Sequence, residues 1–322
     1  MAVPNLGELS ALTRDYVSRR LSDNVFLSNV IFERLRQNEE TYDGGEKIRE
    51  PIIYDDDPAD TTGGSFTRTQ TINNVEREGV DAAQYDPAFY YQTIVLWDQD
   101  LAKNGRGDTQ LLSLHDARVQ TAELRLRGRF SRHFFGTAAG TPNILGSLDL
   151  FSSTNTYGGI SRSSQSFWRP VIQNNAGTGR ALTLRILDNL YEAVHDAEIR
   201  PTIGITSTEV IAKYKSLLHP QQRFMNNEEM TRAGFLNVMF NDVPLVVDKR
   251  IDQDSATRQK MYFFNLDFFK LRPHEDYNFK TDDWTKMQSG AGIYTRIWWF
   301  GQVTCNNCRY QGSLEDIDPA TA

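Results

Sequence analysis

The sequence predicts an α+β fold, and three patterns support that prediction. Apolar residues recur at helical spacing through residues 108–135, which predicts one long helix. A run of aromatic and β-branched residues at 87–98 predicts a strand, and NGRGD at 104–108 predicts the turn that follows it. From residue 180 onward, helical and strand patterns alternate. The chain has 322 residues, of which 39% are hydrophobic, so it is long enough to bury a sizeable core.

Two short helices are predicted near the N-terminus, on either side of a breaker at residues 22–24. Their apolar positions are Leu9, Leu12 and Tyr16 in the first and Leu27, Ile31 and Leu35 in the second. Charged side chains interrupt the first twenty residues, so no secretion signal is expected. After Gly44 and Gly45, the segment EKIREPIIYDD predicts a strand.

Residues 55–80 are poor in the side chains that order a chain through burial. Only five of these 26 residues are hydrophobic, yet residues 66–72 are rich in β-formers, which predicts a strand without a core-facing side. Ordering a backbone of this length costs on the order of 26–50 kcal/mol, whereas burying five such side chains returns roughly 8–15 kcal/mol. Two alternatives follow: a floppy surface loop, or a loop that a neighbouring molecule orders.

The long helix predicted for residues 108–135 has an apolar face and a basic face. The apolar stripe consists of Leu112, Val119, Ala122, Leu126, Phe130 and Phe134. The basic residues are Arg118, Arg125, Arg127, Arg129 and Arg132. A solvated helix face and a contact surface for a polyanion or a protein partner are both consistent with this pattern.

Glycines and a proline between residues 136 and 146 mark a break after that helix. The sequence then predicts a helix at 180–195, a strand at 201–207 and a second helix, in which Thr206 and Glu209 have capping-box spacing. The remaining pattern consists of a hairpin around Asn241-Asp242 and strands at 259–265 and 293–305.

No catalytic or metal-binding motif stands out in the chain. The five histidines are far apart, and the sequence contains no phosphate-binding loop, dinucleotide fingerprint or nucleophile elbow. Cys305 and Cys308 have CxxC spacing but follow a predicted strand, so thioredoxin-type chemistry is not expected. No cofactor, metal or enzymatic activity is therefore predicted. A net charge of -7 argues against a protein whose main role is binding nucleic-acid phosphates.

Residues 150–170, LFSSTNTYGGISRSSQSFWRP, contain paired glycines between two aromatic anchors, Tyr157 and Trp168. Paired glycines permit positive φ in a tight turn, and the aromatic residues can hold its ends. With Gly158, Gly159 and Arg162, this segment resembles the major capsid proteins of tailed bacteriophages, those with the Hong Kong 97 fold. The other predicted elements follow in the order that this family has, along most of the chain.

The resemblance implies a Hong Kong 97-like division of the chain. The corresponding regions are an N-arm at 1–45, an extended β-hairpin loop at 46–85, a peripheral domain at 86–140 and 256–322 with a spine helix at 108–135, and an axial α/β domain at 141–255. It also implies that an adjacent subunit orders the extended loop. The inter-subunit contacts expected on this basis are Phe66, Arg68, Ile72, Arg77, Arg19 and Arg20. The expected axial-domain turn consists of Tyr157, Gly158, Gly159, Arg162 and Trp168.

The function that the resemblance implies is that of a structural head protein. Many copies are expected to form the hexamers and pentamers of an icosahedral shell around double-stranded DNA, which they contact without sequence specificity. The expected location is the virion, assembled in the host bacterial cytoplasm, with no membrane partner. Scaffolding, portal and decoration proteins are candidate partners. An encapsulin-like compartment and a soluble α+β enzyme are the alternatives.

Overall fold

The computed structural model describes residues 30–54, 65–72, 79–104, 114–136, 144–146, 148–218, 238–248, 251, 255 and 258–321. Several sequence predictions lie outside the described residues. They are the helix around Leu9 to Tyr16, most of the NGRGD turn, the start of the long helix, and the contact residues Arg19, Arg20 and Arg77.

The described chain mixes helices and strands, which confirms the α+β class. The helices are α1 (Val30–Gln37), α2 (Asp98–Asn104), α3 (Leu114–Phe134), α4 (Leu184–Val194) and α5 (Thr208–Leu218). The strands are β1 (Ile48–Ile53), β2 (Val80–Tyr85), β3 (Ala88–Trp97), β4 (Thr156–Tyr157), β5 (Ile160–Ser161), β6 (Val171–Gln173), β7 (Arg180–Ala181), β8 (Ile203–Thr206), β9 (Val238–Phe240), β10 (Val243–Val247), β11 (Gln259–Phe264), β12 (Phe269–Pro273), β13 (Lys280–Thr281), β14 (Thr285–Lys286), β15 (Gly292–Cys305) and β16 (Gly312–Asp318).

The first two strands form the base of a hairpin. β1 and β2 pair antiparallel, from Ile48 opposite Tyr85 to Ile53 opposite Val80. Alternate residues of β1 face the core, so Ile48 and Ile52 are buried while Ile53 points outward. The strand predicted from EKIREPIIYDD is confirmed over residues 48–53.

The strand predicted at residues 66–72 is wrong. Residues 65–72 contain a turn, in which the Gln70 amide donates to the carbonyl oxygen of Thr67 at 3.0 Å, and all eight residues are exposed. The β-forming side chains are exposed here, and propensity alone does not produce a strand.

A five-stranded antiparallel sheet packs against the long helix. β3 pairs with β15 through ten consecutive residues, and β12, β13 and β14 pair with the other edge of β15. The Phe130 ring of α3 lies 4.8 Å from the Tyr90 ring and 4.7 Å from the Trp299 ring. The predicted stripe is confirmed over the described residues, because Ala122, Leu126, Phe130 and Phe134 are buried and Val119 packs against the same core, while Leu112 lies outside the described residues.

The sequence predicted that a turn follows β3, but a helix follows it instead. Helix α2 follows it at once, with Asp98 and Asp100 in its first turn, where acidic side chains interact favourably with the helix dipole. The apolar pattern of 87–98 predicted the strand correctly but carried no information on this short polar helix.

A seven-stranded mixed sheet forms the second part of the core. Its order is β6-β16-β11-β8-β10-β9, with β7 also paired to β16. Helices α4 and α5 cover one face through side chains such as Leu190 and Val210, which cluster with Phe263. The opposite face contributes Ile203 and Phe264 to the main core. Burial on both faces explains why β8 is buried at all four positions.

Sheet membership does not follow the predicted boundary at residue 255. β11 and β16 lie in the range assigned to the peripheral domain, yet they pair with each other, and β11 pairs with β8 of the axial range. The division at residues 255 and 256 therefore separates strands that share one sheet.

The capping box predicted from Thr206 and Glu209 is also wrong. Ser207 caps α5, because its Oγ accepts the Val210 amide at 3.2 Å. The Thr206 hydroxyl instead donates to the carbonyl oxygen of Lys260 in the neighbouring strand at 2.8 Å. A shift of one residue in the helix start changes which side chain reaches the free amides.

Candidate functional site

The hairpin exposes four large apolar side chains. Ile53 is 88% exposed, and Val80, directly opposite it, is 67% exposed. Phe66 and Ile72, two of the predicted contact residues, are 68% and 58% exposed. Arg68 lies between them and is also exposed. Single exposed apolar residues are ordinary, but four large ones between residues 53 and 80 offer apolar area for contact with another molecule.

The contact residues predicted from the sequence did not include Ile53 and Val80. Both belong to paired strands, and only the register shows that they are opposite each other on the outward face. The signal was the adjacent pair Ile52-Ile53 in β1: since side chains alternate in a strand, one of two adjacent apolar residues must face outward.

A buried carboxylate fixes the base of the hairpin. Glu50 accepts hydrogen bonds from Arg272 Nε at 2.6 Å, from Arg272 Nη2 at 3.1 Å and from the Thr304 hydroxyl at 2.9 Å. Arg272 also pairs with Glu40 at 2.6 Å, and Lys270 pairs with the same carboxylate. One network therefore joins the segment before the hairpin, strand β1 and the five-stranded sheet.

The network holds Glu40 in its ionised form. The hydrogen bond from Lys270, followed by the positive charge of Arg272, lowers the pKa of Glu40 against the opposing effect of burial. Its contribution to stability is therefore present above the pKa of the unfolded chain and is lost as the pH falls through the lower folded value. Because the Glu40 side chain is 43% exposed, solvent screens this contribution.

Glu50→Gln is expected to lower the free energy of unfolding by about 2 kcal/mol, because hydrogen bonds to a charged group contribute about 1.5–3 kcal/mol. Urea denaturation measures the change. Glu46→Gln, at an exposed position in the same segment, serves as the control and is expected to change stability by less than about 0.5 kcal/mol. Equal effects from the two substitutions would contradict the network's role.

The paired glycines form the tight turn that the sequence predicts. Gly158 has φ of 59° and Gly159 has φ of 77°, in the left-handed region that favours glycine, and they join β4 to β5. The carbonyl oxygen of Gly158 accepts the Gln84 amide at 2.8 Å, which attaches this turn to β2. Trp168 Nε1 donates to the carbonyl oxygen of Tyr157 at 2.9 Å, which links the two aromatic residues that flank the turn.

Gly158→Ala is expected to destabilise the chain more than Gly159→Ala does. Both substitutions put a side chain at positive φ, which costs roughly 1–2 kcal/mol. A Cβ at Gly158 additionally lies 3.1 Å from the Ala83 Cβ and the Tyr85 hydroxyl, whereas the nearest atom to a Cβ at Gly159 is 3.8 Å away. Thermal denaturation compares the two variants, and a larger loss for Gly159→Ala would contradict close packing of the turn on β2.

Arg162 is fully buried beneath this turn and organises it. Its Nε donates to the carbonyl oxygen of Trp168 at 3.1 Å, and its Nη1 donates to the carbonyl oxygens of Asp149 at 2.9 Å and Ser152 at 2.8 Å. The guanidinium carbon lies 4.7 Å from the centre of the Tyr157 ring, a cation–π distance. The structure thus brings together all five residues predicted for the turn.

We call these five residues the turn cluster, and it also contacts side chains that the sequence predictions did not connect with it. The Tyr85 ring meets the Tyr157 ring edge-on at 5.4 Å. The Tyr85 hydroxyl donates to the carbonyl oxygen of Cys305 at 2.5 Å and accepts the Cys305 amide at 3.3 Å. Burial raises the pKa of both tyrosines well above the usual value, which keeps the hydroxyl groups neutral. No local sequence signal links positions 220 residues apart.

Three of the five arginines on α3 have partners within the chain. Arg118 donates to the carbonyl oxygen of Val95 and pairs with Asp100 at 3.0 Å. Arg129 donates to the carbonyl oxygen of Tyr91 at 3.3 Å. Arg127 pairs with Glu33 of α1 at 3.8 Å, whereas Arg125 and Arg132 are exposed. The basic face therefore secures β3 and α1 as well as meeting solvent.

A second apolar surface lies on the outer face of the five-stranded sheet. Phe89, Tyr91 and Trp97 of β3 are each about half exposed. The Phe89 ring lies 5.0 Å from the Phe300 ring, and the Tyr91 ring lies 5.9 Å from the Trp298 ring. These five side chains, here called the aromatic face, continue across two adjacent strands.

Among the residues that the structure describes, no three histidine, cysteine or acidic side chains group together as a metal site. Within the same part of the chain, no helix is both long enough and apolar enough to cross a membrane.

No family model matches the chain, and no curated protein matches its sequence. Solved structures resemble it along nearly its whole length. The capsid of cyanophage A-1(L) has a TM-score of 0.70 at 15% identity, covering 96% of this chain and 98% of that one. The capsid of a native GTA particle has a TM-score of 0.67 at 10% identity, covering 96% of this chain and 97% of that one. The holo-SrpI encapsulin complex from Synechococcus elongatus has a TM-score of 0.63 at 10% identity, covering 98% of this chain and 97% of that one.

Identities this low show the fold rather than the activity. All three neighbours are shell structures by their descriptions, two of them capsids and one an encapsulin, and each likeness includes nearly all of both chains. The chain therefore has the Hong Kong 97-like capsid fold that the resemblance in its sequence implied.

Proposed function

We propose that the chain is the major capsid protein of a tailed bacteriophage. Many copies form the hexamers and pentamers of an icosahedral head that encloses double-stranded DNA. The observation that supports this proposal is the likeness to the cyanophage A-1(L) capsid, which includes 96% of this chain and 98% of that one. Nearly every element described above therefore belongs to a shell-forming fold.

The exposed hairpin supplies a physical reason for assembly. Burying one large apolar side chain stabilises an interface by roughly 1.5–3 kcal/mol. Ile53, Phe66, Ile72 and Val80 are more than half exposed in the single chain, so a neighbouring copy that covers them gains this free energy. The same contact orders a segment that has few apolar residues of its own.

The aromatic face is the proposed receiving surface. It consists of large rings on β3 and β15, whereas the exposed apolar residues of the hairpin are Ile53, Phe66, Ile72 and Val80, so the two surfaces consist of different residues. A contact between two different surfaces is heterologous, and heterologous contacts form rings when the rotation between copies closes. Hexamers and pentamers are rings of this kind.

Contacts with the packaged DNA are proposed to be weak and unspecific. The net charge of -7 opposes strong binding to phosphates, while the exposed Arg125 and Arg132 offer local positive charge. Scaffolding, portal and decoration proteins are the further partners we propose. The proposed location is the virion, after assembly in the host bacterial cytoplasm, and the proposed role is structural rather than catalytic.

An encapsulin-like compartment is the second candidate, because the likeness to the SrpI encapsulin complex covers 98% of this chain and 97% of that one, with a TM-score of 0.63. Both candidates form closed shells and differ in content, which is a genome in one and a protein cargo in the other. The presence of DNA inside native particles separates them.

Electron microscopy of the purified chain is expected to show closed shells with pentameric and hexameric units. Nuclease treatment of particles from the native source, followed by DNA extraction, is expected to recover protected double-stranded DNA. Shells that contain protein and no protected DNA would instead support the compartment. A chain that remains a monomer of 36.8 kDa or a small oligomer under all assembly conditions would contradict both shell proposals.

A further inference from the structure

Two thiols lie together beneath the turn cluster. Cys305 ends β15, and Cys308 follows three residues later; both are free, and both are fully buried. Both residues belong to one buried core cluster that also contains Tyr85, Tyr157 and Trp168. Arg162 Nη2 donates to Cys308 Sγ at 3.5 Å, so a buried positive charge adjoins one of the two sulfur atoms.

The hairpin base encloses these thiols. Tyr85, the last residue of β2, forms hydrogen bonds with both the amide and the carbonyl of Cys305. Tyr157 packs in the same buried cluster, with its ring edge-on to the Tyr85 ring. Both cysteines are fully buried, so a reagent reaches the sulfur atoms only when the hairpin base or the glycine turn moves away.

We infer that Cys305 and Cys308 form a redox modification site, at which an organic disulfide converts the dithiol to an internal disulfide when the hairpin base opens. This inference concerns contacts within one chain and does not rest on the proposed shell function. It also differs from thioredoxin-type catalysis, because the thiols are enclosed and are modified rather than turned over.

The chemistry balances with one molecule of the oxidant. The Cys308 thiol loses its proton, and its sulfur, beside the Arg162 guanidinium, attacks one sulfur of the organic disulfide and releases one thiolate. The Cys305 sulfur, after losing its own proton, attacks Cys308 Sγ and releases the second thiolate. Two protein thiols are oxidised, one organic disulfide is reduced to two thiols, and the two protons pass to the released thiolates.

The geometry favours an internal disulfide over a lasting mixed one. The two cysteines share one buried cluster and only two residues separate them in the chain, so closing a bond of about 2.05 Å needs a local movement of the 306–308 loop. Burial raises the pKa of the Cys305 thiol, which keeps the closed form reduced. Opening removes that protection, so the rate of oxidation reports how often the hairpin base opens.

The test places the purified full-length chain in glutathione buffers with increasing oxidised glutathione. Acid quenching, alkylation and mass spectrometry of the peptide that contains Cys305 and Cys308 follow. The expected product is the unalkylated peptide lighter by two hydrogen atoms, and Cys308→Ser is expected to abolish it. A peptide that stays fully alkylated in the native chain, while the same chain in concentrated urea forms the disulfide, would overturn the inference.

A second arm tests the coupling to the hairpin base. Tyr85→Phe removes the hydroxyl that bonds to Cys305 and is expected to speed oxidation roughly three- to tenfold, the effect of one hydrogen bond on an opening equilibrium. Tyr90→Phe removes a buried hydroxyl that bonds to His133 and Leu145 instead, and it controls for general loosening. Equal rates in the two variants would refute the coupling. Should Tyr85→Phe fail to fold, the rate for the unchanged protein is expected to rise in urea below its unfolding range, and a constant rate there would refute it.

Discussion

Replacing Ile53 by Glu together with Val80 by Lys is expected to prevent particle assembly while leaving the single chain as stable as before. Both side chains are exposed in the single chain, so the folded subunit loses no core packing. The two residues are directly opposite in the hairpin, so the new charges form a cross-strand pair that preserves the register. An interface that covers this site, in contrast, must bury two charges.

The expected size of the assembly effect follows from the apolar surface that is removed. Each buried side chain contributes roughly 1.5–3 kcal/mol, so losing two of them weakens each contact by about 3–6 kcal/mol. Since every 1.4 kcal/mol is about tenfold in an equilibrium constant, the concentration needed for assembly is expected to rise by at least about a hundredfold. Light scattering and electron microscopy across a concentration series measure this threshold.

The matched control exchanges the two residues, as Ile53→Val with Val80→Ile, which keeps the apolar surface and the strand propensity. This variant is expected to assemble at the original threshold. Urea denaturation of the unassembled chains completes the comparison. Assembly of the charged variant at an unchanged concentration would count against hairpin contacts between copies, as would a loss of subunit stability equal to the loss of assembly.

The elements that the sequence predicted correctly are those whose pattern is local. β3, β15 and α3 each contain ten or more residues with a consistent apolar period, and the pattern placed all three. The glycine turn was predictable for a similar reason, because two adjacent glycines permit the positive φ that the turn requires.

The links between distant parts of the chain could not be predicted. Glu50 and Arg272 are 222 positions apart, and neither has a neighbour in sequence that signals the pairing. The same holds for Tyr85 and Cys305. The turn itself was assigned to the axial domain, yet Tyr157 and Trp168 pack in the main core with the hairpin base and α3. Long-range packing decides such contacts, and a single sequence does not encode them locally.

The errors share a physical cause. At 66–72, β propensity suggested a strand where the side chains are exposed, and at Thr206 the capping spacing competed with a bond to the neighbouring strand. In both places the tertiary surroundings outweighed a local preference of about 1 kcal/mol. The predicted contact residues Phe66, Arg68 and Ile72 are nevertheless exposed, because this segment has too few apolar residues to form a core of its own.

Arg162→Met is expected to lower the free energy of unfolding by about 4 kcal/mol. The substitution retains much of the side-chain volume but removes all the hydrogen-bond donors. Three carbonyl oxygens, those of Asp149, Ser152 and Trp168, then lose the donor that they share. Leaving one buried acceptor without its partner costs about 1–3 kcal/mol.

The substitution also has a favourable effect on stability, because burying a guanidinium is itself costly and an apolar replacement avoids that cost. Here the acceptors are backbone groups that the substitution cannot remove, so their loss of partners outweighs the relief. Arg169→Met is the control: Arg169 also donates to carbonyl oxygens, of Arg162 at 2.6 Å and of Ser163 at 2.9 Å, but it is exposed. Its expected cost is below about 1 kcal/mol, since water replaces the lost donors.

Arg162→Lys separates charge from geometry. A single ammonium group retains the positive charge but lacks the planar fork that reaches carbonyl oxygens on two sides, so an intermediate loss of about 2–3 kcal/mol is expected. Urea denaturation of the three variants ranks them. A Lys variant as stable as the unchanged protein would assign the role of Arg162 to its charge, and a Met variant that loses less than about 1 kcal/mol would show that the turn holds without it.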